Sequence, residues 1–302
     1  MHDGVVFHAG LGDPEGPVLL PDGSWAVVEM STETGHVSVV SSNGVSRRVV
    51  VKTGRPNGMV MDSDGLLWVA ESMNPPSLLR VDLDGSSELV LTEGAGNRFL
   101  FPNDLAFGPD GALYMTDSGV LRSEIQKIPA ADRPGYPFEG KLFRIDIESK
   151  KAKILDDGLR FPNGLAFGRD RALYVTTTAD GLIHRYEWLG EGNLGVREYF
   201  ADLVDDSKST GSGGFVGGDG LAVGASGNLY CAVFGQGNVT VIDPVGNLLH
   251  RITVGGEEPT NVAFGPFGSG CIYVTVKDTG KIERHQVGEN GLAMLPSKNR
   301  ND

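Results

Sequence analysis

Apolar residues along this chain fall in short alternating runs cut by turn-forming Gly, Asp and Asn. Ala112-Leu113-Tyr114-Met115-Thr116 and Ala172-Leu173-Tyr174-Val175-Thr176 show the pattern, and each follows a tight-turn signal. A period of two predicts strands with one face buried. Pro109-Asp110-Gly111 and Ser63-Asp64-Gly65 predict turns between paired strands, because glycine adopts positive φ without strain. Third strands are predicted at Ser77–Asp82, Lys141–Asp146, Leu182–Tyr186 and Asn238–Asp243, and fourth strands at Ser86–Leu91 and Val196–Phe200. Helical spacing is nearly absent; only the segment from Arg122 to Ala131 could hold a helical turn.

The strands belong to a repeat. Phe101-Pro102-Asn103-Asp104-Leu105-Ala106-Phe107-Gly108 returns as Phe161-Pro162-Asn163-Gly164-Leu165-Ala166-Phe167-Gly168. Fainter copies begin at Arg55, Gly217, Glu258 and Pro14. Equivalent positions lie 42 (15 to 57), 46 (57 to 103), 60 (103 to 163), 56 (163 to 219) and 41 (219 to 260) residues apart. Such periods mark propellers. Six units of four antiparallel strands predict an all-β six-bladed propeller, with residues 1–302 as one domain. Val5-Val6-Phe7-His8 is the expected strand closing the last blade. The 44 glycines, 16 prolines and 40% apolar residues suit a turn-rich β protein.

One position in the repeat varies: Glu15, Asn57, Asn103, Asn163, Asp219 and Thr260. In a propeller the first strand of each blade lines the central tunnel, so these residues should form a ring. Asn-Gly and Asp-Gly also recur simply because turns recur. A turn, however, does not ask for Glu in one copy and Asp in another. Two carboxylates and two amide carbonyls (Glu15, Asp219, Asn103, Asn163) are hard oxygen donors of the kind Ca2+ prefers.

Bulk properties narrow the field. The net charge of −13, from 39 acidic and 26 basic side chains, disfavours nucleic acid and anionic membranes as partners. No apolar run is long enough to span a bilayer, and no leading export signal is present, so a cytoplasmic location is expected. Cys231 and Cys271, in strands of neighbouring blades, read as buried free thiols, with a disulfide as the alternative. None of His2, His8, His36, His184, His250 and His285 falls at a ring position, which argues against a histidine-driven mechanism. Gly190 to Gly195 fits a dinucleotide-binding glycine pattern but opens no helix. Oligomeric state is not legible. Two insertions, Gly119 to Gly140 and Asp205 to Gly218, account for the long spacings; the first is expected to form a lid over the tunnel mouth.

From about Asp13 to Tyr273 the sequence resembles the senescence marker protein (regucalcin)/gluconolactonase family of calcium-dependent six-bladed hydrolases. The resemblance rests on Pro14-Glu15-Gly16-Pro17, Pro162-Asn163-Gly164 and Asp219-Gly220. It implies that Glu15, Asn163 and Asp219 are core metal ligands and that Asn103 binds the metal directly or through water. It implies one divalent cation, Ca2+ first, with Zn2+, Mg2+ or Mn2+ as alternatives. Arg98 resembles an arginine contacting lactone hydroxyls, and Asn57 and Asn103 join it as candidate substrate-binding residues. Leu105 stands where the family's sugar lactonases usually carry a glycine after Asn-Asp. The expected activity is opening of a small sugar or organic-acid lactone, with the metal polarising the carbonyl and Asp219 as base or nucleophile. A phosphotriesterase or arylesterase on the same ion, or a non-enzymatic binding propeller, are the competing readings.

Overall fold

The computed structural model describes residues 4–207, 214–293 and 295. Six four-stranded antiparallel sheets radiate as blades, the first five laid down in chain order from the centre outward. The inner strands are Pro14–Leu19, Pro56–Met61, Pro102–Phe107, Pro162–Phe167, Gly217–Val223 and Pro259–Phe264. Each packs against the inner strands of the blades on either side, and that of blade 6 packs against that of blade 1. The outer strand of blade 6 comes from the other end of the chain: Val5–Ala9 runs antiparallel to Lys281–Gln286, with Val5 opposite Arg284. The expected closing strand is present and extends one residue further, to Ala9.

The hydrophobic core lies between blades, which explains the apolar half of the repeat. At two seams the Tyr of one blade's Leu-Tyr strand meets the Phe ending the next blade's inner strand. Tyr114 of blade 3 lies edge-on to Phe167 of blade 4 at 4.9 Å, and Tyr230 of blade 5 to Phe264 of blade 6 at 5.0 Å. At the closure, Tyr273 of blade 6 stacks on Trp25 of blade 1 at 4.3 Å. Each such pair contributes about 1 kcal/mol beyond the area it buries. Leu105, Leu165 and Leu221 are buried in these same seams. Cys231 and Cys271 are buried free thiols.

The insertion at 119–140 folds back over the mouth of the tunnel. It contains α1 (Arg122–Ile125) and a 3-10 turn, Ala130–Gly135. The expected helical turn is thus present at Arg122–Ile125, and Pro129 stands between it and the 3-10 turn. Val120, Ile125 and Phe138 are buried against Phe101, Phe161 and Phe215, so the segment is pinned by its own apolar side chains. Of the second insertion, residues 208–213 lie outside the described residues, as does His2.

Candidate active site

Every inner strand breaks register with its neighbour at the same place. The irregularities fall at Glu15/Val18, Pro56/Met59, Pro102/Leu105, Pro162/Leu165, Gly218/Leu221 and Pro259/Asn261. A bulge re-aims a side chain that strict alternation would point elsewhere. Here it turns the variable residue of each repeat toward the axis. Glu15, Asn57, Asn103, Asn163, Asp219 and Thr260 are all buried, and all line one cavity of about 190 Å³.

The residue after each ring position sits where the inner strands crowd together. Four blades have glycine there: Gly16, Gly58, Gly164 and Gly220. A Cβ at Gly58 would overlap Asp104, one at Gly164 the Asp219 carbonyl, and one at Gly220 the Asn261 side chain. The two remaining blades carry Asp104 and Asn261, whose side chains hydrogen-bond to one another. Asn261 also donates to Glu15 Oε1 at 2.7 Å. Two polar side chains thus close the floor beneath the ring.

Hydroxyls from second strands hold the ring from behind. Thr116 donates to the Asn163 carbonyl at 2.6 Å and Ser118 to that of Pro162 at 3.0 Å. One blade on, Thr176 donates to the Asp219 carbonyl at 2.6 Å and Thr178 to that of Gly218 at 2.8 Å. The same hydroxyls take the ring amides: Asn103 Nδ2 donates to Ser118 Oγ at 2.8 Å and Asn163 Nδ2 to Thr178 Oγ1 at 3.1 Å. Thr260 Oγ1 donates to the Pro14 carbonyl and so ties blade 6 to blade 1. Asp117 and Glu71 play turn roles, accepting the backbone amides of Leu100, Phe101 and Gly119 and of Arg55 and Met73 respectively.

With nitrogen positions fixed this way, oxygen atoms are left over. Glu15 Oε2 and Asn163 Oδ1 are buried and have no hydrogen-bond partner. A buried unpaired acceptor costs about 1–3 kcal/mol. Burial also drives the Glu15 carboxyl well above the usual range, with Asp104 and Asp219 adding like charge; the Asn261 hydrogen bond opposes the rise. Asp219 is raised for the same reasons, burial first and then Asp104, against a hydrogen bond from Asn163. Burial lifts Asp104 to about 7. Three carboxylates around one small volume, with two orphaned oxygens, form an environment that a cation would stabilise. Among the described residues no three His, Cys, Asp or Glu side chains cluster as a metal site; the donors of the ring include amide carbonyls.

Around the mouth stand Phe101, Phe161, Phe215 and Phe234, with Arg55, Arg122, Arg133 and Lys277 among them. Phe161 has a positive φ of 56°, which costs a non-glycine residue about 1–3 kcal/mol. Lys277 forms an ion pair with Glu258.

The ring residues anticipated from the repeat are therefore brought together. Asn103 Oδ1 already accepts from Asn57 Nδ2 at 2.9 Å, so one of its lone pairs is committed. Arg98 is not at the site. It is exposed on the two-stranded hairpin formed with Glu93–Gly94 and does not line the cavity, because the hairpin turns away at Ala95-Gly96, both with positive φ. Residues not anticipated are Asp104, Asn261 and Thr178. The hydroxyls did leave a signal: Thr116-x-Ser118 and Thr176-x-Thr178 stand at the same distance after Tyr114 and Tyr174.

A six-bladed propeller with oxygen donors ringed at one end of its tunnel defines the class. The sequence pattern described as the SMP-30/Gluconolactonase/LRE-like region matches residues 77–278, and the chain belongs to that family. It is 33% identical over 263 residues to a pentonolactonase of Haloferax volcanii, covering 86% of this chain and 80% of that protein. It is 29% identical over 217 residues to a gluconolactonase of Zymomonas mobilis, covering 70% of this chain but only 58% of the relative. Regucalcin from Agrobacterium tumefaciens, a calcium-binding protein, has the same fold, with a TM-score of 0.76, 20% identity, and coverage of 97% of this chain and 99% of that one.

Proposed function

We propose that this chain opens a small sugar or organic-acid lactone, using a divalent cation held by Glu15, Asn163 and Asp219, with Asn103 beside them. The observation that carries the reading is the pair of unpartnered buried oxygens, Glu15 Oε2 and Asn163 Oδ1, lining one cavity with Asp219. Their donor chemistry fits Ca2+ first, and the two carboxylate charges match a divalent ion. The gluconolactonase and pentonolactonase among its relatives supply the reaction class.

When bound, the cation would supply positive charge to polarise the lactone carbonyl and stabilise the developing oxyanion. The protein supplies the rest. Asp219 is the reacting carboxylate, positioned through its backbone by Thr176. As general base it takes a proton from water as the water oxygen attacks the carbonyl carbon; the ring C–O bond then breaks and the departing oxygen takes the proton. Glu15 is held by Asn261 and balances charge. The aromatic mouth and the segment over it limit the access of bulk water.

The test is a panel of lactones followed with a pH indicator, with and without chelator. Turnover lost on chelation and restored by Ca2+ is expected. No turnover of any lactone, with hydrolysis of phosphotriesters or aryl esters, would replace this reading by an esterase on the same ring.

A further inference from the structure

The floor of the cavity is acidic, but its mouth carries the opposite charge. Arg55, Arg122 and Arg133 all line it. They arrive from two directions: Arg55 from the turn entering blade 2, and the other two from the segment folded over the tunnel. Arg55 is only 6% exposed, with its guanidinium 5.3 Å over the ring of Phe101 and Nη1 donating to Ser72 Oγ at 2.9 Å. Arg133 Nε donates to the Ile128 carbonyl at 3.2 Å. Arg122 Nε is buried without a hydrogen-bond partner.

Among the described residues, counter-charge to Arg55 and Arg122 is thin. Among the described residues neither Arg55 nor Arg122 forms an ion pair with a carboxylate. Asp13, Glu71 and Glu15 are near enough to Arg55 to be felt, and Asp13 to Arg122, but one oxygen of Glu71 is taken by the Arg55 and Met73 backbone amides. Lys277 is matched by Glu258, and Glu15 and Asp219 by the cation of the proposed reaction. The arginines also repel one another: Arg122 acts against the charge on Arg55, and Arg133 against that on Arg122, on top of the burial each endures. In a chain of net charge −13, this concentration of cations is not a consequence of composition. Buried guanidinium groups are stable where a partner satisfies their donors. Their fork geometry matches the oxygens of a carboxylate, sulfonate or phosphate.

We propose that Arg55, Arg122 and Arg133 form an anion subsite, and that the substrate is a lactone bearing a second, anionic group remote from its carbonyl. The inference rests on the lactonase reading for the word lactone and for the cation that matches Glu15 and Asp219; anion binding by the guanidinium groups does not depend on turnover. The ring oxygens then take the reacting end of the molecule and the arginines the other, so the substrate is held at two points.

The experiment compares kcat/KM for a neutral aldonolactone with lactones carrying a carboxylate, a sulfonate or a phosphate. A preference of about tenfold or more for one anionic class is expected, and the class that wins identifies the oxyanion. Arg122→Gln should collapse that preference, with Arg122→Lys restoring part of it; circular dichroism checks that both variants fold. A second arm measures binding of glucose, glucuronate and glucose 6-phosphate by calorimetry. Binding of an anionic sugar but not glucose, lost in Arg122→Gln, supports the subsite even if no lactone is hydrolysed, and then only the lactonase reading falls. Equal kcat/KM for neutral and anionic lactones, or glucose binding as tightly as its anionic derivatives, overturns the proposal.

Discussion

Asn57 donates its side-chain amide to Asn103 Oδ1 at 2.9 Å, across the seam between blades 2 and 3. Asn103 Nδ2 in turn donates to Ser118 Oγ, which donates to the Pro162 carbonyl of blade 4. One chain of hydrogen bonds thus links three blades through the site. Asn57→Leu keeps the branched shape but removes the donor, leaving Asn103 Oδ1 short of a partner. A fall of about tenfold in kcat/KM is expected, in line with 1–3 kcal/mol for an unsatisfied buried acceptor. Steady-state kinetics beside a thermal melt separate this from general destabilisation: the rate should fall with the melting temperature shifted by only a few degrees.

In the proposed reaction Asp219 is the general base. Asp219→Asn preserves shape and hydrogen-bond length but removes the base. Turnover should drop by about a hundredfold or more, while the far-ultraviolet spectrum stays that of the parent. Near-normal turnover would remove Asp219 from the chemistry.

Cation binding should be visible without any substrate. A ligand bound only by the folded state stabilises it by about 2.7 kcal/mol at a hundred times its dissociation constant. Calcium added to chelator-treated protein should therefore raise the melting temperature by several degrees. Glu15→Gln and Asn163→Leu should each abolish most of that rise. A rise unchanged in both variants would place the ion elsewhere.

The crowding beneath the ring makes its own prediction. Gly164→Ala would press a methyl group against the Asp219 carbonyl, where backbone cannot easily give way. A loss of about 1–3 kcal/mol is expected. Gly135→Ala, in the segment over the mouth, meets nothing within 4 Å and should be close to neutral. Denaturant melts of the two variants give the comparison.

The repeat made the propeller legible because each unit contributes apolar residues to the seams on both sides, as in Tyr114 against Phe167. The ring was legible because one position in that unit breaks the repeat's own rule. Arg98 was assigned to the substrate by resemblance, which says nothing about which way its hairpin turns; the turn at Ala95-Gly96 leaves it outside the cavity. Arg55 was hidden for the converse reason. It enters the site from blade 2, two residues before Asn57, and only the curvature of the ring brings it beside Phe101. Asp104 was in plain view beside Asn103, but the meaning of its carboxylate depends on Gly58 leaving room for it.

The 2.7 Å bond from Asn261 to Glu15 joins residues 246 positions apart. Blade 1, made first, holds an acidic side chain whose partner arrives only when blade 6 docks and takes Val5–Ala9 as its edge. Closing so long a loop carries an entropic cost that grows only slowly with its length, but it must be met before Glu15 is set. A fragment lacking the last blade would keep several seams and much of its strand content, yet its Glu15 would have lost its anchor. Occupancy by calcium would then report on whether the ring has shut, and the metal would serve as the molecule's own check on complete assembly.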